Sequence, residues 1–216
     1  MDAAARHEAV VATMKLAPVI PVLTVRDVAD GVAQARALVA GGLPAIEVTL
    51  RTPAALAAIA EIARAVPGAH VGAGTIVEPA QIAAAVEAGA KFLVSPGTSP
   101  ALAAAAAAAP IPFLPGVATP SEAMTLRALG FRAMKLFPAE AVGGAKLLAS
   151  LYAPIPDIVF CPTGGIDAAK AATYLALANV LCVGGSWMLP KAALDSGDYA
   201  KVEALAREAS ALKAER

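Results

Sequence analysis

Short apolar runs that alternate strictly with helix-like stretches, eight such runs in all, and glycine pairs that follow the last two of them predict an α/β fold: a (β/α)8 TIM barrel with an extra N-terminal helix. Strict alternation implies parallel strands joined by right-handed crossovers, and eight such units is the number that closes a barrel. An open doubly wound sheet is the other architecture that alternation allows. It would call for a G-x-G-x-x-G turn after the first strand, which the sequence lacks. A chain of 216 residues is expected to form one domain over 1–216, with little room for insertions.

Taken in order, residues 1–17 have helical composition with scattered charges and are read as a helix capping the bottom of the barrel. The apolar runs read as strands are 18–24, 45–50, 70–73, 91–94, 112–114, 132–137, 157–161 and 180–183. Between them lie helix-like stretches at 27–40, 53–65, 79–88, 99–109, 121–129, 144–151 and 167–176, and a polar-faced closing helix is expected over 199–216. The sixth run is bounded by Gly130 and Pro138, the punctuation expected around a buried strand.

Composition narrows the function classes. Net charge is zero, from 17 basic and 17 acidic residues, and no Lys/Arg block marks a nucleic-acid surface. Hydrophobic content is 58%, but much of it is alanine, and the run from Ala101 to Ala109 leads into Pro110, Pro112 and Pro115, so no membrane span is expected. The N-terminus carries Asp2, Arg6, His7 and Glu8 before any apolar run, unlike a secretory signal, and a cytoplasmic location is expected. Cys161 and Cys182 fall inside apolar runs, where a buried reduced thiol is the ordinary reading. The two histidines, His7 and His70, have no partners at ligand-like spacing, so neither a metal nor a cofactor is expected, and the partner should be a small molecule.

Two strands carry chemistry. Along 45–51, Ile46, Val48 and Leu50 face one way while Glu47, Thr49 and Arg51 face the other. On a half-buried sheet the polar face would be solvated. In a parallel barrel both faces are covered, so it must line the interior. Along 132–137, Ala133, Lys135 and Phe137 share a face, which directs one lysine to an enclosed place. An ammonium there needs a partner charge or must become a neutral amine, the condition for Schiff-base chemistry. Gly164-Gly165 and Gly184-Gly185-Ser186 follow the last two strands, where backbone N–H groups of such barrels converge on anions. Val71-Gly72-Ala73-Gly74-Thr75 and Ser95-Pro96-Gly97 add small and polar groups to the same rim.

Together with Glu47-Val48-Thr49-Leu50-Arg51-Thr52, Lys135-Leu136-Phe137-Pro138-Ala139-Glu140, Cys161-Pro162-Thr163-Gly164-Gly165-Ile166 and Gly184-Gly185-Ser186-Trp187, these blocks resemble the 2-dehydro-3-deoxy-phosphogluconate (KDPG) aldolase family, which includes 4-hydroxy-2-oxoglutarate (KHG) aldolase. The resemblance runs from about Pro18 to the C-terminal helix. One departure is Met134, where the family pattern carries a phenylalanine beside the lysine; its side chain is expected to face the helices, away from the site. The resemblance implies a class I aldolase of the Entner–Doudoroff pathway, a homotrimer acting on a phosphorylated keto acid. By the same resemblance Lys135 is the Schiff-base nucleophile and Glu47 the acid–base group. Arg51 and Thr75 hold the substrate carboxylate, Pro96 and Phe137 wall the keto acid, Thr163 lies near the phosphate, and Gly164, Gly165, Gly185 and Ser186 bind it. A 2-dehydro-3-deoxy-6-phosphogalactonate aldolase is the alternative. A phosphosugar isomerase or epimerase barrel would share the glycine loops but has no need of Lys135, and a non-catalytic barrel has no need of Lys135 or Glu47.

Overall fold

The computed structural model describes residues 2–212. Its strand segments are β1 (Val19–Leu23), β2 (Ala45–Thr49), β3 (His70–Gly74), β4 (Leu93–Val94), β5 (Phe113–Leu114), β6 (Gly116–Val117), β7 (Ala133–Leu136), β8 (Val159–Pro162) and β9 (Val183–Gly185). All paired segments run parallel. They form a six-stranded sheet in the order β5-β4-β3-β2-β1-β9 and a three-stranded sheet in the order β6-β7-β8. Isolated parallel bridges, Phe160 to Val180 and Thr163 to Gly184, connect the β8 and β9 regions. The fold is therefore α/β with parallel strands.

Helices between the strands start where the sequence supplies caps. Asp27, Ser99, Thr119 and Asp167 each accept a hydrogen bond from the N–H three residues on, satisfying a donor that the first helical turn leaves free. Pro79, Pro100 and Pro120 stand at first helical positions, where a missing N–H costs nothing. A helix over Ala3–Met14 precedes β1.

Three expectations are corrected. The fifth run ends at Leu114, but a further segment, β6, follows it: Pro115 separates β5 from β6, because proline has no N–H to donate to a ladder, although its carbonyl still accepts from the Lys135 N–H at 2.8 Å. Gly184 and Gly185 lie on β9 instead of following it, and the next helix, Lys191–Ser196, begins only after a turn. The closing helix is shorter than expected, Tyr199–Ser210; residues 1 and 213–216 of the two terminal helix expectations lie outside the described residues.

Alternation along the strands makes two cores. Ile46, Val48, Met134, Leu136, Phe160 and Val183 pack in the large cluster beneath the helices. Ile20, Ala45, Phe92, Val94, Leu114, Ala133, Cys161 and Cys182, on the opposite faces, form a second cluster with Val10 and Met14 of the first helix. Among the described residues no helix is long and apolar enough to cross a membrane.

Candidate active site

The β7 sequence Ala133-Met134-Lys135-Leu136 puts Lys135 on the face away from the helices. Its register neighbours are Gly116 on β6 and Cys161 on β8, both small, so nothing on either flank blocks its long side chain. Glu47 on β2 has Val22 and Gly72 as neighbours, and a Cβ at Gly74 would overlap its carboxylate. Glycine at 74 thus makes the space into which the carboxylate leans. From opposite sheets the two side chains meet: Lys135 Nζ donates to Glu47 Oε1 at 3.0 Å and Oε2 at 3.2 Å, with the side chains only 5% and 4% exposed. The ammonium also lies 5.5 Å from the Phe137 ring centroid. A pair so enclosed costs much desolvation, and leaving either partner alone would cost more.

Above this pair opens a cavity of about 160 Å³ at the C-terminal ends of the strands. Arg51, Lys135, Phe137, Thr163, Gly164, Gly165, Gly185 and Ser186 line it, as do Val22, Ile166 and Gly184. Larger grooves exist elsewhere, but the one between Pro79–Glu87 and Pro100–Ala108 is lined mainly by alanine and aliphatic side chains and gathers no convergent polar groups.

Arg51 lies in the turn just beyond β2, and its Nε donates to Thr75 Oγ1 at 3.0 Å. Thr75 holds φ of +60°, a left-handed conformation that is strained for a β-branched residue and that fixes where its hydroxyl points. Thr49, inward beside Glu47 as alternation requires, is spent on structure: its hydroxyl donates to the Leu23 carbonyl at 2.7 Å and meets Thr24 Oγ1 at 3.2 Å.

The two glycine pairs are glycine for different reasons. Gly164 and Gly165 have φ of +106° and +77°, which side-chain-bearing residues avoid. At Gly184 and Gly185 the backbone is ordinary, but a Cβ would strike Thr163 and the Trp187 indole respectively. Behind the first pair, the Glu140 carboxylate accepts from the Tyr174 hydroxyl and pairs with Lys170 Nζ at 2.9 Å. Those two partners hold the Glu140 carboxyl below the usual range, and Glu140 in turn raises Lys170. Deeper down, a hydrogen bond with Cys161 and full burial push the Cys182 thiol well up, the signature of an unreactive thiol.

Of the residues singled out from sequence, eight line the cavity. Glu47 supports it from beneath Lys135, and Thr75 reaches it through Arg51. Pro96 does not line it; its backbone packs against Gly116, the neighbour of Lys135. Sequence reasoning missed Val22, which reads as one more aliphatic residue of β1, and the Glu140–Lys170–Tyr174 cluster. Among the described residues no group of three His, Cys, Asp or Glu side chains could hold a metal ion. An amine and a carboxylate in contact below an open cavity can perform covalent carbonyl chemistry with proton transfer at the same spot.

A KHG/KDPG aldolase of Escherichia coli (strain K12) is 50% identical over 192 residues, 89% of this chain and 90% of that protein. KDPG aldolase from Legionella pneumophila, with pyruvate captured at low pH as a covalent carbinolamine intermediate, matches with a TM-score of 0.91 at 40% identity, covering 93% of this chain and 98% of that one. The 2-keto-3-deoxy-6-phosphogluconate aldolase of Zymomonas mobilis ZM4 with 3-phosphoglycerate matches with a TM-score of 0.91 at 47% identity, covering 97% and 98%. The family model described as KDPG and KHG aldolase matches residues 10–205, and the chain belongs to that family.

Proposed function

We propose that this chain is a class I aldolase that cleaves 2-dehydro-3-deoxy-6-phosphogluconate to pyruvate and D-glyceraldehyde 3-phosphate, and that it also accepts 4-hydroxy-2-oxoglutarate, giving pyruvate and glyoxylate. The observation that carries the reading is the buried contact between Lys135 Nζ and the Glu47 carboxylate beneath the cavity. Pyruvate held as a carbinolamine in the Legionella relative supports the same chemistry here.

Lys135 gives up a proton across its contact with Glu47 and attacks the C2 ketone. Glu47 passes that proton to the carbinolamine hydroxyl, which leaves as water, so that the iminium, the electron sink, forms and the carboxylate is restored. Glu47 takes the C4 hydroxyl proton as the C3–C4 bond breaks and the aldehyde departs, leaving pyruvate as an enamine. The same carboxylate returns a proton to C3, and hydrolysis frees the lysine. Arg51 forms a fork for the substrate carboxylate with Thr75 assisting, and Phe137 flanks the keto acid. Gly164, Gly165, Gly185 and Ser186, which line the cavity with Thr163 nearby, hold the phosphate.

We also read the two sheets as one closed (β/α)8 barrel, with β5 and β6 as a single interrupted strand. The one-residue gap at Pro115 and the bridges between the β8 and β9 regions support this. The N-terminal helix then caps its lower end. Residues 1–216 form one domain of a cytoplasmic homotrimer, whose contacts would cover exposed apolar side chains such as Val77, Met124 and Leu129.

Steady-state cleavage of the phosphogluconate substrate, the phosphogalactonate epimer and 4-hydroxy-2-oxoglutarate tests the assignment. The highest kcat/KM is expected for the first. A preference for the epimer would move the chain to the galactonate-type activity, and no cleavage of any of the three would overturn the reading.

A further inference from the structure

The turn Gly164-Gly165-Ile166 has its carbonyls clamped from outside the cavity. The Glu140 N–H donates to the Gly164 carbonyl at 3.1 Å, and Lys170 Nζ donates to the Gly165 carbonyl at 3.0 Å. In a trans peptide the N–H points opposite the carbonyl. The N–H groups of Gly165 and Ile166 are therefore turned from that outer side toward the cavity that both residues line. Among the described residues, neither N–H donates to a protein acceptor. The cation on the Gly165 carbonyl also polarises the peptide whose far end is the Ile166 N–H, making it a stronger donor.

What holds Lys170 there is Glu140. Its carboxylate pairs with Lys170 Nζ at 2.9 Å and accepts from the Tyr174 hydroxyl. Lys170 and Tyr174 stand four apart on the helix Ala168–Leu175, so one face presents both. Tyr174 is buried and anchors the carboxylate, whereas Lys170 is half exposed and would otherwise be free to swing away. A Cβ on Gly165 would sit 2.8 Å from Glu140 Cγ, so the side chain braces the turn directly. Glu140 also belongs to the short helical turn that follows β7, the strand carrying Lys135. The network thus ties the lysine strand to the glycine turn.

We propose that Glu140, Lys170 and Tyr174 are positioning residues for the phosphate subsite, locking the Gly164-Gly165 carbonyls outward so that the turn offers its N–H groups to the anion. This rests on the phosphate assignment of the preceding section and deepens it.

Glu140→Gln gives a test whose sign separates positioning from simple charge. Removing a negative charge near an anion site strengthens anion binding if only long-range electrostatics operates, but loosening Lys170 and the turn weakens it. Phosphorus NMR titration with inorganic phosphate should show affinity reduced about tenfold in Glu140→Gln and Lys170→Met, the scale of one lost charged hydrogen bond, and kept within about threefold in Lys170→Arg. In kinetics, the ratio of kcat/KM for the phosphorylated substrate to that for 4-hydroxy-2-oxoglutarate should fall by a similar factor in the first two variants. Tyr174→Phe, which keeps the packing, should move both readouts in the same direction. Unchanged or tighter phosphate binding in Glu140→Gln, or an unchanged ratio, would overturn the inference while leaving an active wild type. A wild type that neither binds phosphate nor cleaves the phosphorylated substrate would instead overturn the reading beneath it.

Discussion

Two residues before Lys135, on the same face of β7, stands Ala133; two before Glu47 on β2 stands Ala45. Cys161 stands in the same relation to Thr163, and Cys182 to Gly184. One step of two residues, roughly 6.6 Å along a strand, converts an apolar plug into a polar site. At the lower level Val10 and Met14 close the end with alanines, cysteines and Phe92. At the upper level the same faces carry a buried ion pair, a strained Thr75 and a turn with two left-handed glycines. The difference teaches where stability and chemistry are kept apart: the lower layer is satisfied by packing alone, and the upper layer is held open by pairing, strain and missing side chains.

Breaking the upper layer should have the largest effect. Lys135→Met leaves the Glu47 carboxylate buried without its partner, a change worth about 3–5 kcal/mol, and it should also abolish turnover. The double variant Lys135→Met with Glu47→Leu should recover most of the stability and none of the activity. Equilibrium denaturation of the three proteins checks this; a single variant as stable as wild type would mean that the pair is not enclosed as described.

The lower layer should respond the other way. Met14→Ala opens a cavity beneath the second cluster and is expected to cost about 2–5 kcal/mol in denaturant midpoint analysis, with kcat/KM of the folded enzyme unchanged. A substantial loss of kcat/KM at full folding would show that the two layers are coupled.

At Thr75 strain and function trade off within a single residue. Thr75→Ala keeps φ near +60° and loses the bond from Arg51, whereas Thr75→Gly also relieves the backbone. The glycine variant should therefore be more stable than the alanine variant by about 1 kcal/mol, while both lose substrate affinity to a similar degree. Equal stabilities would remove strain from the account of this rim.

The smallest expected effect lies at the lower end. Burial, with Lys91 nearby, pushes the His70 imidazole below its ordinary value, where it stacks on Phe92 and its Nε2 meets Thr13 Oγ1 at 3.2 Å. A lowered folded value means that the unfolded chain binds the proton first. The contribution is present above the unfolded value of about 6.5 and is lost as pH falls through the folded value. Thermal midpoints should drop more steeply below that pH in wild type than in His70→Asn; parallel curves would contradict it.

Much of this contrast was legible in the sequence. Alternation along 45–51 and 132–137 is enough to put Glu47 and Lys135 on enclosed faces, because strand period fixes side-chain direction without tertiary information. The strand bounds were less so. Leu93–Val94 and Phe113–Leu114 are two-residue ladders, too short to carry a period, and the pause at Pro115 depends on how neighbouring strands pair. Gly184 and Gly185 look like loop residues by composition; they are strand because they pair with Ile20 and Pro21 of β1, and glycine because Thr163 and Trp187 occupy the space that side chains would need. The Glu140–Lys170–Tyr174 brace joins residues about thirty apart through tertiary contact, and no local pattern announces it.

The central claim is that the amine of Lys135 is the covalent nucleophile and the carboxylate of Glu47 its proton partner. Incubation with pyruvate and borohydride, followed by peptide mass mapping, tests it most directly. The account predicts a reduced pyruvyl adduct on Lys135 in wild type and none in Lys135→Arg. In Glu47→Gln the adduct should still form, while aldol cleavage slows by roughly 10²- to 10⁴-fold, the usual worth of a positioned acid–base group. An adduct on Lys91 or Lys146, or near-normal turnover by Lys135→Arg, would contradict it.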